Sequence, residues 1–372
     1  MLKEKTTKTS TAHNIVTQSL GELYSGPGGL GLGAAMASVK HKGVRWLTEP
    51  SWTNDYCGDT CKTWEKNVLG YERKIKGFKG RVDIHVGDVR QLDIASLAPV
   101  DGLMFGFPCN DFSNVGEKKG LSGTFGPLYS YGVEVLRKAT QPSWFIAENV
   151  SGISSSDSGN ALKKIMDELR DSGYRVTAHK YCLEEYGVPQ ARHRIIIVGF
   201  RADLGLTFRV PKPHGKIVTA AEAFKDIPHN VANGERTIHA QKVIDRLSFI
   251  DPGENCWNAK RLPAHLKLNV AGAKLSQIYK KLDPNKPAYT VTGSGGGGTH
   301  MYHWAEDRAL TNRERARLQT FPDSFEFVGS KDSVRRQVGM AVPVLAGQKI
   351  VTAVLKTLAG IPYDSVEANV KI

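Results

Sequence analysis

Three segments of the chain carry side chains whose chemistry, taken together, could act on a substrate. In "GFPCNDFSNVG" (106–116) an apolar run, 102–107, ends in Pro108-Cys109, and a polar, glycine-punctuated stretch follows. A thiol therefore stands at the C-terminal end of a predicted strand, where ligands bind in open α/β sheets. "FIAENV" closes the next apolar run with Glu148 and Asn149, a carboxylate followed by an amide. "PQARHRIIIVGF" sets Arg192 and Arg194 two apart ahead of a further strand, so extended backbone would turn both to one face. Cys109 alone reads equally well as a buried core cysteine; its companions give it a task.

Thiol, carboxyl group and guanidinium together suit one reaction. C5 of a pyrimidine is a poor nucleophile toward a methyl donor. Addition of a thiolate at C6 pushes electron density to C5 and makes it reactive, which is covalent catalysis. A carboxyl group at N3 accepts that density, and an arginine at O2 fixes the ring. Loss of the C5 proton and of the thiol then leaves a 5-methylated base.

A second constellation points to a nucleotide cofactor. In "LYSGPGGLGLG" (23–33), Gly26, Gly28 and Gly31 satisfy G-x-G-x-x-G where a first strand should turn into a helix. A tight structural turn explains the glycines equally well. Read with an acid at the end of the second strand, they suggest an adenosine moiety whose ribose meets a carboxylate. Glu49 follows an obvious strand. Asp55 is followed at once by Tyr56, an aromatic able to stack on adenine. Asp88, after the third strand, is placed to accept from an exocyclic amine.

The elements that must position these groups are legible as alternating apolar runs and helical patterns, an α/β fold with a mostly parallel sheet. Strands are predicted at 20–25, 44–48, 82–86, 102–107, 144–148 and 195–200; the first is diluted by Gly21 and Glu22. The unbroken Ile195-Ile196-Ile197-Val198 suits a strand covered on both faces. Leu162, Ile165, Met166 and Leu169 recur at helical spacing before Gly173, and 343–358 is an amphipathic helix. After Phe200 the texture becomes irregular, rich in Pro, His, Lys and Asn, which suggests a second, smaller domain.

The totals narrow the classes. A net charge of +13 favours a polyanionic partner. Five cysteines, an odd number without a close second pair, argue against both a disulfide framework and a zinc tetrad, so no metal is expected. No apolar run approaches a membrane span, and "MLKEKTTKTSTAHN" lacks an apolar signal core, so cytoplasmic residence is the expectation.

In their order and spacing these segments resemble the DNA (cytosine-5) methyltransferases of bacterial restriction-modification type over nearly the whole chain. "LYSGPGG", "GFPCNDFSNVG", "ENV" and "QARHR" look like the cofactor, nucleophile, glutamate and arginine motifs; "NRERARLQTFPDSF" (312–325) and "QVGMAVP" (337–343) resemble the last two. The resemblance implies a Rossmann-like S-adenosylmethionine-dependent domain, residues 1–200 plus 335–372, and an irregular target-recognition domain, 201–334. Cys109 would be the nucleophile and Glu148 would hold N3, with Arg194 and neighbouring Arg192 binding the base or its phosphate. S-adenosyl-L-methionine would lie on Tyr24, Ser25, Gly26, Gly28, Gly29, Asp55, Tyr56, Asp88, Val89 and Pro108. In the family the ribose-binding acid directly precedes the stacking aromatic, which selects Asp55 over Glu49 and makes 43–51 look like an insertion.

The implied substrate is a short specific sequence in double-stranded DNA, about four to six base pairs. The target cytosine would be flipped out of the duplex. A glycine-rich loop, 108–127, would close over it, with Asn110, Ser113, Lys118 and Lys119 touching DNA. A monomer is expected, with a cognate restriction endonuclease as a possible companion. The sequence departs from the family at Asn110, usually Gln, and at Met340, usually Asn. An RNA cytosine-5 methyltransferase shares the chemistry. A silent DNA-binding homologue is disfavoured by the intact Cys109, Glu148 and Arg194. An NAD-dependent dehydrogenase would leave the cysteine and C-terminal motifs unused.

Overall fold

A computed structural model describes residues 14–107, 128–154, 159–269 and 275–371. In chain order its elements are β1 (Asn14–Leu23), α1 (Gly29–Met36), β2 (Ser38–His41), β3 (Val44–Asp55), α2 (Gly58–Trp64), α3 (Gly70–Ile75), β4 (Asp83–Val86), β5 (Gly102–Phe105), α4 (Tyr129–Leu136), β6 (Trp144–Val150), α5 (Asn160–Asp171), β7 (Tyr174–Cys182), β8 (Gln190–Ala191) and β9 (His193–Arg201). Shorter pieces follow: β10 (Val210–Pro211), α6 (Ala220–Phe224), α7 (Gln241–Leu247) and β11 (Ala288–Tyr289). The chain then closes with α8 (Asn312–Leu318), α9 (Lys331–Met340), α10 (Val344–Leu358) and β12 (Ser365–Val366).

Eight strands form one sheet in the order β2-β3-β1-β5-β6-β9-β7, with β4 also paired to β3. β3, β1, β5 and β6 run parallel, and β4 joins β3 in the same sense. β9 is antiparallel to both β6 and β7. This reversal matters chemically, because it sets the start of β9 beside the end of β6: Val150 pairs with Arg194 and Glu148 with Ile196. As expected for a strand covered on both faces, Ile195 and Ile197 enter one core while Ile196 and Val198 enter the other.

The two strands nearest the cofactor motif differ most from their sequence boundaries. β3 does not stop near Thr48; it runs on to Asp55, so 44–51 is its first part, hairpinned to β2 through 44–47. The continuation survives Pro50 through a bulge, with Leu20 opposite Pro50 but Gly21 opposite Trp52. Gly21 is the residue that permits this, since a Cβ there would lie 2.1 Å from the Trp52 ring. What dilutes the first strand in sequence is the space that a buried tryptophan fills.

Helices cover both faces. Leu162, Ile165, Met166 and Leu169 of α5 pack under one face with Phe105 and Phe145. Ile350, Val351, Val354 and Leu355 of α10 cover the other with Leu30 and Ala34 of α1. Each fully buried aliphatic side chain contributes about 1.5–3 kcal/mol, so α10 is fastened by packing rather than helix propensity. By length and composition 331–358 could span a membrane; here it is α9 and α10, and 67% of its most apolar window is buried. A third core joins Trp64 and Val68 to Phe321, Phe325 and Phe327, and a fourth is built only from later residues, including Leu247, Leu266, Tyr279 and Tyr302.

Candidate functional site

The C-terminal ends of β1, β3, β5 and β6 converge on the segments singled out by their chemistry. Leaving β1, the chain turns through Tyr24 (φ 56°) and Gly26 (φ 56°) before Gly28 (φ 97°) starts α1. Ser25 N–H donates to Asn54 O at 3.0 Å, and Gly26 N–H donates to Asp55 Oδ2 at 2.9 Å. The Asp55 Oδ1 takes the Cys57 N–H at 3.0 Å. The carboxylate is thus aimed by two backbone donors, and burial raises its pKa against their opposing effect. Glu49 sits mid-strand opposite Ser19, away from this end. Tyr56, 78% exposed beside Asp55, presents an open aromatic surface.

The glycines divide by task. A Cβ on Gly26 would meet nothing within 4 Å, so that face is free for a ligand to approach the backbone. A Cβ on Gly29 would lie 2.0 Å from Val342 O, so the lack of a side chain there also lets α1 approach the segment before α10. Asp88 caps a short turn after β4 and is gripped by Arg90, whose guanidinium holds the carboxyl below its ordinary range. Val89 is 3% exposed and packs in the core, leaving its backbone for any ligand contact.

Glu22 is a residue that the sequence reading passed over as strand dilution. Its side chain is buried, and Oε2 accepts from Trp64 Nε1 at 2.9 Å. Trp64 in turn lies beneath Gly28, where a Cβ would come within 2.9 Å of its ring. Burial pushes the Glu22 carboxyl up to about 8; Asp55 adds to the rise, while Trp64 and the Gly31 backbone oppose it. A carboxyl of ordinary value 4.5 raised this far keeps its proton in the folded chain and loses it in the unfolded one between those limits. Stability therefore falls as pH rises from about 5 to about 8, at no more than about 1.4 kcal/mol per pH unit for one group. Glu72, pushed up to about 7 by burial despite Lys76, adds to the same slope. We expect Glu22→Gln to flatten part of this slope in thermal melts across that range; an unchanged slope would show Glu22 to be ionised in the folded protein.

Across the sheet, Glu148 and Arg194 form an ion pair with Arg194 Nε donating to Glu148 Oε1 at 2.8 Å. Their side chains keep only 13% and 12% of their exposure, enough to meet a ligand and little enough to stay oriented. Arg194 Nη1 is fixed by the His193 carbonyl at 2.7 Å. Asn149 Nδ2 donates to Phe107 O at 3.1 Å, which anchors the last described residue before Pro108. A Cβ on Gly106 would stand 3.4 Å from Glu148 Oε2, so the chain enters the 108–127 segment alongside this carboxylate. At that segment's far end, Tyr24 Oη donates to Leu128 O at 2.6 Å.

Arg192 departs from the expectation that both arginines share a face. The chain changes partners there: β8 pairs with β11, whereas β9 joins the main sheet. Arg192 is 2% exposed, and its guanidinium donates to Val291 O at 3.0 Å, Gly339 O at 3.2 Å and Ala341 O at 3.0 Å. It ties the arginine motif to the C-terminal motif. Pro108, Cys109, Asn110, Ser113, Lys118 and Lys119 lie outside the described residues. Met340 ends α9 with 62% exposure.

The family model for C-5 cytosine-specific DNA methylase matches residues 19–356. The chain is 51% identical over 361 residues to the type II methyltransferase M.BbvI of Brevibacillus brevis, covering 94% of each. It is 36% identical over 361 residues to M.NgoFVII of Neisseria gonorrhoeae, covering 94% of this chain and 89% of that one. Among solved structures, an E. coli prophage-encoded protein described as a DNA modification methyltransferase matches with a TM-score of 0.70 at 21% identity, over 92% of this chain and 99% of that one. The Entamoeba histolytica methyltransferase EhMeth gives 0.60 at 14% identity, over 93% and 98%. Both likenesses concern the fold, an α/β methyltransferase sheet.

Proposed function

Because the chain belongs to the C-5 cytosine-specific DNA methylases, we propose that it methylates a cytosine flipped out of a short double-stranded DNA sequence, through covalent addition of Cys109 to C6. Membership makes it a DNA (cytosine-5-)-methyltransferase, similar to type II restriction-modification enzymes. The finer reading is carried by one observation: the Glu148–Arg194 ion pair stands at the C-terminal end of β6, beside the point where the chain enters the Pro108-Cys109 segment.

In this reading the Cys109 thiolate forms a bond to C6, and the C5–C6 π electrons shift toward C5 and the ring. On base binding Glu148, held by Arg194, takes a proton from solvent and passes it to N3 as negative charge develops there. Arg194 keeps the carboxyl directed at the base and meets O2. S-adenosylmethionine, when bound, supplies an electrophilic methyl group on sulfonium. Loss of the C5 proton to a solvent water and return of the N3 proton to Glu148 then restore the double bond, expel the thiolate and leave 5-methylcytosine. For the cofactor, the open backbone face at Gly26, the aimed Asp55 carboxylate and the exposed Tyr56 ring suit an adenosine. Tyr24, Ser25 and Gly28 complete the turn.

The division into a catalytic part, 1–200 plus 335–372, and a DNA-reading part, 201–334, belongs to the same proposal. The fourth core, confined to residues within 247–309 and their packed neighbours, supports it. Lys118 and Lys119 within a chain of net charge +13 are assigned to the phosphates, which makes binding steeply salt-dependent. Asn110 and Ser113 join them on the backbone. Action as a cytoplasmic monomer, alongside a restriction endonuclease reading the same site, completes the reading.

Bisulfite sequencing of plasmid DNA from expressing cells tests the proposal. One cytosine protected within a fixed short sequence is the expected result; no protected DNA cytosine overturns it. Glu148→Gln retains the carbonyl acceptor for Arg194 but cannot donate its proton in the same way. Its kcat should fall by about 10²–10⁴-fold with cofactor affinity unchanged. Methyl transfer near the wild-type rate would remove Glu148 from the mechanism.

A further inference from the structure

Where β7 ends and β9 begins, three ligand-type side chains meet outside the proposed catalytic pair. Cys182 closes β7 and pairs directly with His193 across the antiparallel ladder. Glu184 follows two residues later in the turn after β7. A sulfur, an imidazole nitrogen and a carboxylate oxygen from these three all lie within 4.8 Å of one another. We propose that Cys182, Glu184 and His193 form a zinc-binding site, with water as the fourth ligand.

The donor set is what zinc selects. Thiolate, imidazole and carboxylate bind at roughly 2.3, 2.0 and 2.1 Å, and three protein ligands plus water is a common tetrahedral arrangement. Such bond lengths place ligand atoms roughly 3.3–3.7 Å apart, within reach of small side-chain rotations from the observed cluster. Two of the three ligands rest on paired strands, so the backbone holds them in register. The third is oriented from both sides: Glu184 Oε1 lies 2.8 Å from His193 Nε2, and Oε2 accepts from Arg192 N–H at 3.3 Å. The first contact yields to the ion, while the second is the kind of outer hydrogen bond that fixes a ligating carboxylate. The His193 side chain is 42% exposed and Glu184 18%, so an ion can enter from solvent. Sulfur in the set disfavours magnesium and calcium, which take oxygen ligands.

Metal binding here is measured independently of methyl transfer. Tag-free full-length protein is titrated with Zn²⁺ by calorimetry, and with Co²⁺ to detect a thiolate-to-metal charge-transfer band. One metal per chain and a thiolate band are expected, with affinity reduced at least about 10-fold in Cys182→Ser and in His193→Gln and the band lost in Cys182→Ser. Circular dichroism establishes that both variants are folded; Glu184→Gln supplies a third test should either fail. No stoichiometric binding by the wild type, or a band that persists in Cys182→Ser because Cys57 and Cys61 hold the ion, overturns the site.

Discussion

Cys109→Ser should keep its fold and its affinity for S-adenosylmethionine while methyl transfer to DNA falls by at least about four orders of magnitude. Losses of that size follow removal of a covalent nucleophile, because the remaining groups supply only binding and electrostatic help. A serine hydroxyl is a far weaker nucleophile than a thiolate near neutral pH and has no base assigned to activate it. Transfer of tritiated methyl groups measures the loss, and calorimetric cofactor titration measures what remains. A second arm uses DNA carrying 5-fluorocytosine at the target. Fluorine cannot leave as a proton does, so the wild type should stop as a covalent adduct visible on a denaturing gel, and Cys109→Ser should form none. Turnover within a factor of ten of the wild type would end the covalent mechanism.

The two arginines of "QARHR" should fail in opposite ways. Arg192→Ala removes a buried guanidinium from the carbonyls of Val291, Gly339 and Ala341. Ala341 O retains a bond from Gln319 Nε2; the others lose the charged donor described for them. Losing buried charge-assisted hydrogen bonds of this kind costs about 3–4 kcal/mol, a fall in Tm of roughly 4–5 °C in a chain this long. Arg194→Ala removes the mostly buried partner of Glu148 instead. We expect its Tm to fall less, by about 1–2 °C, because one ion-pair contact with residual solvent access is lost rather than three bonds to buried carbonyls. Its kcat should fall by about 10²-fold or more through loss of the orientation imposed on Glu148. Differential scanning calorimetry and single-turnover kinetics on both variants separate the roles. An unstable Arg194→Ala beside a stable Arg192→Ala would reverse the assignment made from their hydrogen bonds.

What the sequence determined by itself is local. A carboxylate closing an apolar run marks a strand end, so the place of Glu148 near the end of β6 was legible from residue type and position alone, and α5 and α10 followed from their periodicity. The α/β class followed from alternation. Pairing and partner choice were not legible, because they depend on residues far away in the chain. Glu49 and Asp55 are equivalent until β1 carries β3 through its bulge and Gly26 N–H meets Asp55. Arg192 and Arg194 are equivalent until the chain leaves β11 for β6 at Arg192, sending one guanidinium inward and the other to Glu148. That Gly29 must also lack a side chain for packing shows only when Val342 O is found against it. Glu22 looks like a polar interruption until Trp64 reaches its carboxyl in a closed core, where burial raises its pKa. Hydrophobic pattern is written along the chain, whereas hydrogen-bond partners and desolvation are properties of the space around each residue, which exists only once the chain has folded.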